Sequence, residues 1–527
     1  MLISRQAQNE FLDRDCDDHR WVKKMRRAGF QKMWSGWRAR PAFKTDPWIH
    51  QQACFQLGVT HPDFSFLLGM GAGKTKLSYD IMSHRFRRGQ VERALVCTPR
   101  AIVTGGWETA AAIHSNLHAS PVLVPNLGAK WELIGHPAAD VEVVVVDYQS
   151  LVLATTKQGK VRRGLKWVKG LVPDADKIDR ITQLYNLLVL DEIHFLRNIS
   201  SLWYSVVSQI AAGMDYRYGL TGTLFGHNPE EAWGPCHLID DGESLGETLG
   251  LFRAVMCNAK TDPWAGVTYE FRKDRQRDFA RMLRHRSITY VENEFAELPE
   301  RVEREVRTDM GHDVREHYLR VVQGIIDAGG AKQELDAQWI RMRQLCAGYL
   351  GWRDDAGEHL LEFAAPPKEE HLVALVESAV ASGKVVVAYD YTTTAKRVHA
   401  RLTKEGHKLA WIYGGCKDPN AEKRRFISDP EVKVLLLNSV AGGTGTDGLQ
   451  EVANCLIFYE APPSPIVREQ TIKRVHRPGS ASRVTVFDLI TKGSVESDIV
   501  KDAKEGRDLY ARVMGGGANF LAKSLVD

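Results

Sequence analysis

Phe64 to Leu77, FSFLLGMGAGKTKL, decides how the rest of the chain reads. An apolar run from Phe64 to Leu68 ends in Gly69-Met70-Gly71-Ala72-Gly73, and Lys74 and Thr75 follow where a helix is expected to begin. Strand, glycine turn and helix N-terminus in that order make a phosphate cradle. Met70, Gly71, Ala72 and Gly73 can aim backbone N–H groups inward, and the positive end of the helix adds to the attraction. Lys74 then reaches the β- and γ-phosphates of ATP, and the Thr75 hydroxyl holds the Mg2+ that bridges them. The usual first glycine of G-x-x-x-x-G-K-[ST] falls on Leu68.

The cradle needs a carboxylate, and Leu187 to Asn198, LLVLDEIHFLRN, supplies two. At the tip of a buried strand Asp191 can hold the metal, while Glu192 is placed to take a proton from the attacking water. Upstream, KTDPWIHQQACFQLG at 44–58 offers Gln51, with Gln52 as rival, to read adenine through its amide. Further apolar runs at Arg93–Pro99, Val141–Tyr148 and Tyr218–Thr223 alternate with helical segments, which predicts a parallel sheet covered on both faces.

From about Trp233 to Gly383 the texture becomes charged and helical, and it reads as an insertion. Strand-like runs then return at 384–390, 408–413, 432–437, 455–459 and 483–490, with a helix expected over Glu469–His476. In QTIKRVHRPG, Arg474 and Arg477 stand three apart on one expected helical face and can reach across a cleft to the γ-phosphate. An arginine so used is worth about 10³ to 10⁵ in rate. The expected fold is therefore α/β, with two parallel-sheet lobes and a helical insertion between them. Its divisions are an N-terminal extension at 1–44, an ATP-binding lobe at 45–233, the insertion at 234–383, a second lobe at 384–500, and a C-terminal helix and tail at 501–527.

Two basic stretches stand apart. Residues 1–40 interleave Arg and Lys with Trp21, Phe30, Trp34 and Trp37, which suits either nucleic acid or packing against the first lobe. Between 157 and 169 lie Lys157, Lys160, Arg162, Arg163, Lys166 and Lys169 with Trp167 and no acidic residue, either a nucleic-acid contact or a solvated loop. The net charge of +4 over 527 residues leaves any nucleic-acid affinity to such local patches. The eight cysteines form no C-x-x-C pair, and no apolar run is long enough to span a bilayer. A cytoplasmic location, prokaryotic or in a phage-infected host cell, is the expectation.

The ordered set Met70-Gly71-Ala72-Gly73-Lys74-Thr75, Asp191-Glu192-Ile193-His194 and Gln470, Arg474, Arg477, Gly479 resembles the superfamily 2 helicase-type ATPases. The tail DEIHFLRN, LTGTLFGHNPEEAW at 220–233, RQLC at 343–346, AGGTG at 441–445 and VTVFDLITKGSVE at 484–496 are most similar to the Swi/Snf family, in a compact bacterial or phage-like form. The resemblance implies two RecA-like P-loop lobes, ATP and Mg2+ as cofactors, and a monomeric motor moving on duplex DNA. It also implies coupling roles for His194, Thr221, Gly222 and Thr223, and nucleic-acid contacts at Thr98, Pro99, Arg100, Gly443 and Thr444. Replication, repair or recombination proteins are the partners such a motor would serve. Leu67-Leu68-Gly69 replaces the family's usual Ala-Asp-Glu, and Asp447-Gly448 blurs the match after the AGG run. Alternatives from the same residues are a strand-separating DNA or RNA helicase and an ATP-gated clamp.

Overall fold

The computed structural model describes residues 5–12, 42–69, 71–163, 166–225, 228–262, 266–291, 298–327, 332–354, 357–364, 366–413, 416, 418–440, 448–477, 480 and 482–506. The chain divides into two compact units, 1–296 and 297–527.

Seven strands build the sheet of the first unit. Their order is Ser287–Tyr290, Asp63–Leu68, Tyr216–Thr221, Leu187–Asp191, Ala94–Thr98, Val143–Asp147 and Ala119–Pro121, and every pairing is parallel. Alternate side chains of each strand serve opposite faces. Leu188 and Leu190 join one core with helices Tyr148–Ala154 and Leu202–Ala211. Leu187 and Val189 join another with helices Ile49–Thr60 and Lys74–Arg87. Burial on both faces is why these strands read as continuous apolar runs. In register, Leu67 lies beside Thr221, Leu220 beside Asp191, Leu190 beside Cys97 and Thr98 beside Asp147. The carboxyl ends of these five strands thus share one edge, where parallel α/β sheets hold their ligands.

The second unit has six strands in the order Arg301–Thr308, Val484–Thr491, Ala453–Phe458, Lys384–Tyr389, Val432–Asn438 and Lys408–Ile412, again all parallel. The two parallel-sheet lobes expected from the sequence are therefore present.

The stretch 234–383 holds helices where they were expected, at Gln276–Leu283, His312–Asp327 and Lys332–Cys346, but it also holds strands that the sequence reading did not expect. It contributes Ser287–Tyr290 to the first sheet, Arg301–Thr308 to the second, and antiparallel hairpins at Cys257–Phe271 and Tyr349–Glu362. Arg301–Thr308 is an edge strand whose charged, largely accessible side chains hide its β character from an apolar-run reading. The basic segment 157–169 is likewise not a loop. Thr156–Arg163 and Lys166–Pro173 pair as a hairpin in which Lys160 lies opposite Lys169. Of the N-terminal extension, Arg5–Leu12 is a helix whose Phe11 is buried in the first unit's core. Trp21, Phe30, Trp34 and Trp37 lie outside the described residues. Seven cysteines are described and all are free thiols. Among the described residues no helix is long and apolar enough to cross a membrane.

Candidate active site

The phosphate loop joins the Asp63–Leu68 strand to the Lys74–Arg87 helix. Gly71 and Gly73 have φ of 78° and 73°, the left-handed backbone that glycine adopts without penalty. Gly73 stands at the N-cap without a side-chain cap, leaving the first helical N–H groups available to an anion. Met70 lies outside the described residues. Behind the loop, two side chains from the Ile49–Thr60 helix grip one carbonyl. Gln51 Nε2 donates to Ala72 O at 3.0 Å, and His50 Nε2 lies 2.9 Å from the same oxygen. Burial lowers the His50 pKa, so the neutral ring donates its Nε2–H. Gln51 Oε1 in turn accepts from Trp48 N at 2.9 Å. The amide read as an adenine reader thus supports the phosphate loop's backbone. Gln52 bonds Pro47 O instead, away from the loop. His50 carried no motif signal; a ring beside the expected glutamine was the only hint.

Lys74 Nζ donates to Leu68 O at 3.1 Å, and its charge acts on both Asp191 and Glu192. Asp191 is buried and tightly held. Its Oδ2 accepts from Thr98 Oγ1 at 3.0 Å and from Trp107 Nε1 at 2.8 Å, and its Oδ1 accepts from Glu192 N at 3.0 Å. Burial, then the neighbouring Glu192 charge, raises the Asp191 carboxyl to about 6. Burial also pushes Glu192 upward, but the His194 bond, the Lys74 charge and the Thr221 hydroxyl outweigh it and lower Glu192 to about 2. Of the two, Glu192 ionises more readily, because it has the cationic and donor neighbours.

Glu192 sits at φ 51°, ψ 51°, a left-handed conformation costing a non-glycine residue about 1–3 kcal/mol. That turn sends its Oε2 to Thr221 Oγ1 at 3.1 Å and to His194 Nδ1 at 3.2 Å. A carboxylate only accepts, so His194 serves it as the Nδ1–H tautomer. Thr221 Oγ1 also receives Thr223 N at 3.1 Å, which closes the turn through Gly222. A Cβ on Gly222 would stand 3.3 Å from Leu68 O, so this turn lies directly against the end of the phosphate-loop strand. The expected coupling set His194, Thr221, Gly222 and Thr223 is therefore one hydrogen-bonded group around Glu192.

Other expectations change. Thr98, expected to touch nucleic acid, has a fully buried side chain engaged with Asp191. Pro99 is half-buried and Arg100 exposed, whereas Gly443 and Thr444 lie outside the described residues. In the second unit the helix expected over Glu469–His476 is Pro465–Ile472. Arg474 and Arg477 follow it in a tight turn, with Arg474 N on Thr471 O and His476 N on Ile472 O, so no helical face holds the pair. Pro478 makes helix unfavourable for the residue before it, and Ser480 Oγ secures the turn by accepting from Arg477 N and donating to Val475 O. Arg474 is buried, while Gln470 and Arg477 are half-buried.

The residues of the first unit fit ATP and Mg2+. The loop offers backbone donors and a lysine for phosphate. Three accepted hydrogen bonds leave Asp191 Oδ1 a lone-pair site, and Thr75 adds a hydroxyl on the first helical turn. Both are hard oxygen donors of the kind Mg2+ takes. Among the described residues no three His, Cys, Asp or Glu side chains gather into an all-protein metal site. The cation would therefore need nucleotide phosphates to complete its shell.

Comparison with known proteins agrees with this chemistry. The helicase conserved C-terminal domain matches residues 367–479. The chromatin-remodeling ATPase INO80 of Schizosaccharomyces pombe is 31% identical over 155 residues, 29% of this chain and 9% of that protein. The Aspergillus oryzae protein of the same name is 32% identical over 140 residues, 26% of this chain and 9% of its own length. The matched stretch is thus a small part of those relatives. The SWI2/SNF2 ATPase core of Sulfolobus solfataricus, solved with double-stranded DNA, aligns over 92% of this chain and 96% of its own at 16% identity and a TM-score of 0.39. The matched domain carries Gln470, Arg474 and Arg477, the strand-tip carboxylates and phosphate loop stand in the first lobe, and on that combination the chain is similar to the superfamily 2 helicase-type ATPases, those of the Swi/Snf kind among them.

Proposed function

We propose that this protein is a DNA-stimulated ATPase that moves along duplex DNA without separating the strands. The observation that carries the reading is Glu192, turned by left-handed backbone toward His194 and Thr221 and clasped by both, with the phosphate-loop lysine's charge acting on it. A recruitment clamp has no need to preserve that arrangement.

In this reading the loop N–H groups and Lys74 bind the β- and γ-phosphates, and Gln51 and His50 keep the loop in shape. Mg2+, held through Thr75 and Asp191, would supply charge neutralisation across those phosphates. Glu192 orients the attacking water and accepts its proton, while the Lys74 charge and the hydrogen bond from His194 Nδ1 stabilise the carboxylate. Thr221 joins Glu192 to the turn at Gly222, so a shift of the phosphate-loop strand reaches the base directly. The exposed Arg100 contacts the phosphate backbone without reading sequence.

The test is steady-state ATP hydrolysis with no nucleic acid, single-stranded DNA, duplex DNA or RNA, beside Glu192→Gln. Duplex-specific stimulation, reduced about 10² to 10⁴-fold in the variant with ATP binding retained, is the expected result. Stimulation by single strands or RNA alone would replace the duplex translocase with a strand-separating helicase. Turnover under no condition would leave the clamp.

A further inference from the structure

Trp107 belongs to no motif used above, yet it touches both halves of the proposed metal site. It lies in a π-helical segment, Val103–Glu108, and its side chain is fully buried. Such segments recur at functional positions. Its indole N–H donates to Asp191 Oδ2 at 2.8 Å, across a separation of 84 residues. Its own carbonyl accepts the Tyr79 hydroxyl at 3.0 Å, and the two rings lie 5.5 Å apart. Tyr79 is one turn along the helix that begins Lys74-Thr75, and it too is fully buried. Tyr148 adds a bond from its hydroxyl to the Asp191 carbonyl at 2.9 Å.

An indole is a large hydrophobic body with a single donor, and a buried one ordinarily spends that donor on whatever acceptor is at hand. Here the acceptor is the strand-tip carboxylate, which already receives Thr98 on the same oxygen. Two donors on Oδ2 fix the carboxylate's rotation and leave the open lone pair on Oδ1. Partners of this kind, one shell behind a ligand, orient it and tune its affinity.

We infer that Trp107 is a positioning residue, which sets the distance and orientation of Asp191 relative to the Lys74-Thr75 helix by bonding both, and so prepares a two-oxygen site for a divalent cation carried by a nucleotide. The inference rests on the reading of Asp191 as the metal-holding carboxylate.

The experiment is Mn2+ binding to the full chain in the presence of ADP, followed by electron paramagnetic resonance, with metal-free ADP binding measured alongside. Trp107→Phe keeps the ring and removes the N–H. Tyr79→Phe keeps Trp107 intact and removes its link to the helix. Asp191→Asn is the control for the underlying reading. Trp107→Phe is expected to weaken Mn2+ about tenfold or more with metal-free ADP affinity unchanged, and to lower kcat with KM for ATP little altered. Tyr79→Phe is expected to fall between this variant and the unaltered protein. Unchanged Mn2+ affinity in either phenylalanine variant, or an equal loss of metal-free ADP affinity, overturns the inference while leaving Asp191 in its role. Unchanged Mn2+ affinity in Asp191→Asn overturns the reading beneath it.

Discussion

At the residue scale, conformation and burial set the chemistry of single side chains. Gly73 has φ 73°, and a Cβ there would stand 2.1 Å from Gln51 Nε2. Gly73→Ala is therefore expected to lose about 1–2 kcal/mol through the left-handed backbone and to push Gln51 from the Ala72 carbonyl. A lowered melting temperature with a raised KM for ATP would show both effects. Glu460, in the second unit, makes a different prediction. Burial, then the charge of Asp390, raises it to about 7, although the Asp390 and Tyr391 N–H groups and the Thr394 hydroxyl bond it. An acid whose folded pKa is raised holds an extra proton in the fold between its unfolded value, about 4.5, and about 7. Its contribution to stability is full below that window and is lost as pH rises through it. The melting temperature of the protein minus that of Glu460→Gln should accordingly fall from pH 4.5 to 7, and a flat difference would refute the assignment.

At the element scale, the Lys74–Arg87 helix is anchored at the end opposite its phosphate loop. Arg85, near its C-terminus, is buried and donates to Tyr218 Oη at 2.7 Å and to the Gly58 and His61 carbonyls at 2.8 Å each. A cation there complements the helix dipole while tying the helix to its neighbour, Ile49–Thr60, and to the central Tyr216–Thr221 strand. Arg85→Ala is expected to destabilise the first unit by about 3 kcal/mol, measured by urea denaturation, because the buried Tyr218 hydroxyl loses its donor and its single O–H cannot serve the Gly58 and His61 carbonyls together. The Thr156–Pro173 hairpin shows the opposite economy. Lys160 and Lys169, directly opposed and both exposed, repel each other across the ladder. Lys160→Glu should stabilise the hairpin by about 0.2–1 kcal/mol, read from slower amide exchange in that segment.

At the scale of the whole molecule, two separately cored units predict two unfolding events. Arg468 is buried in the second unit against Asp488 at 2.6 Å and Glu303 at 3.0 Å. Removing one partner of a buried pair costs about 3–5 kcal/mol. Scanning calorimetry should therefore resolve two transitions, one lowered by Arg468→Ala and the other by Arg85→Ala. A single transition displaced by both substitutions would contradict independent units.

The contiguous parts of the site were legible in the sequence because contiguity is what their chemistry requires. A phosphate loop must run strand, glycine, lysine and helix without interruption, and Asp191-Glu192 must end an apolar strand. The doubly buried strands announced themselves by unbroken apolar runs, whereas the edge strands Ser287–Tyr290 and Arg301–Thr308, short or charged, did not. What sequence could not supply was the partner of each polar atom. Thr98 and Trp107 meet Asp191 only because the Ala94–Thr98 strand lies beside Leu187–Asp191, and Thr221 meets Glu192 only because Tyr216–Thr221 lies on that strand's other side. The sequence by itself determined which groups can bind phosphate, metal and water. Strand order, a product of long-range packing that no local pattern encodes, decided which oxygen each donor holds and hence which carboxylate ionises more readily.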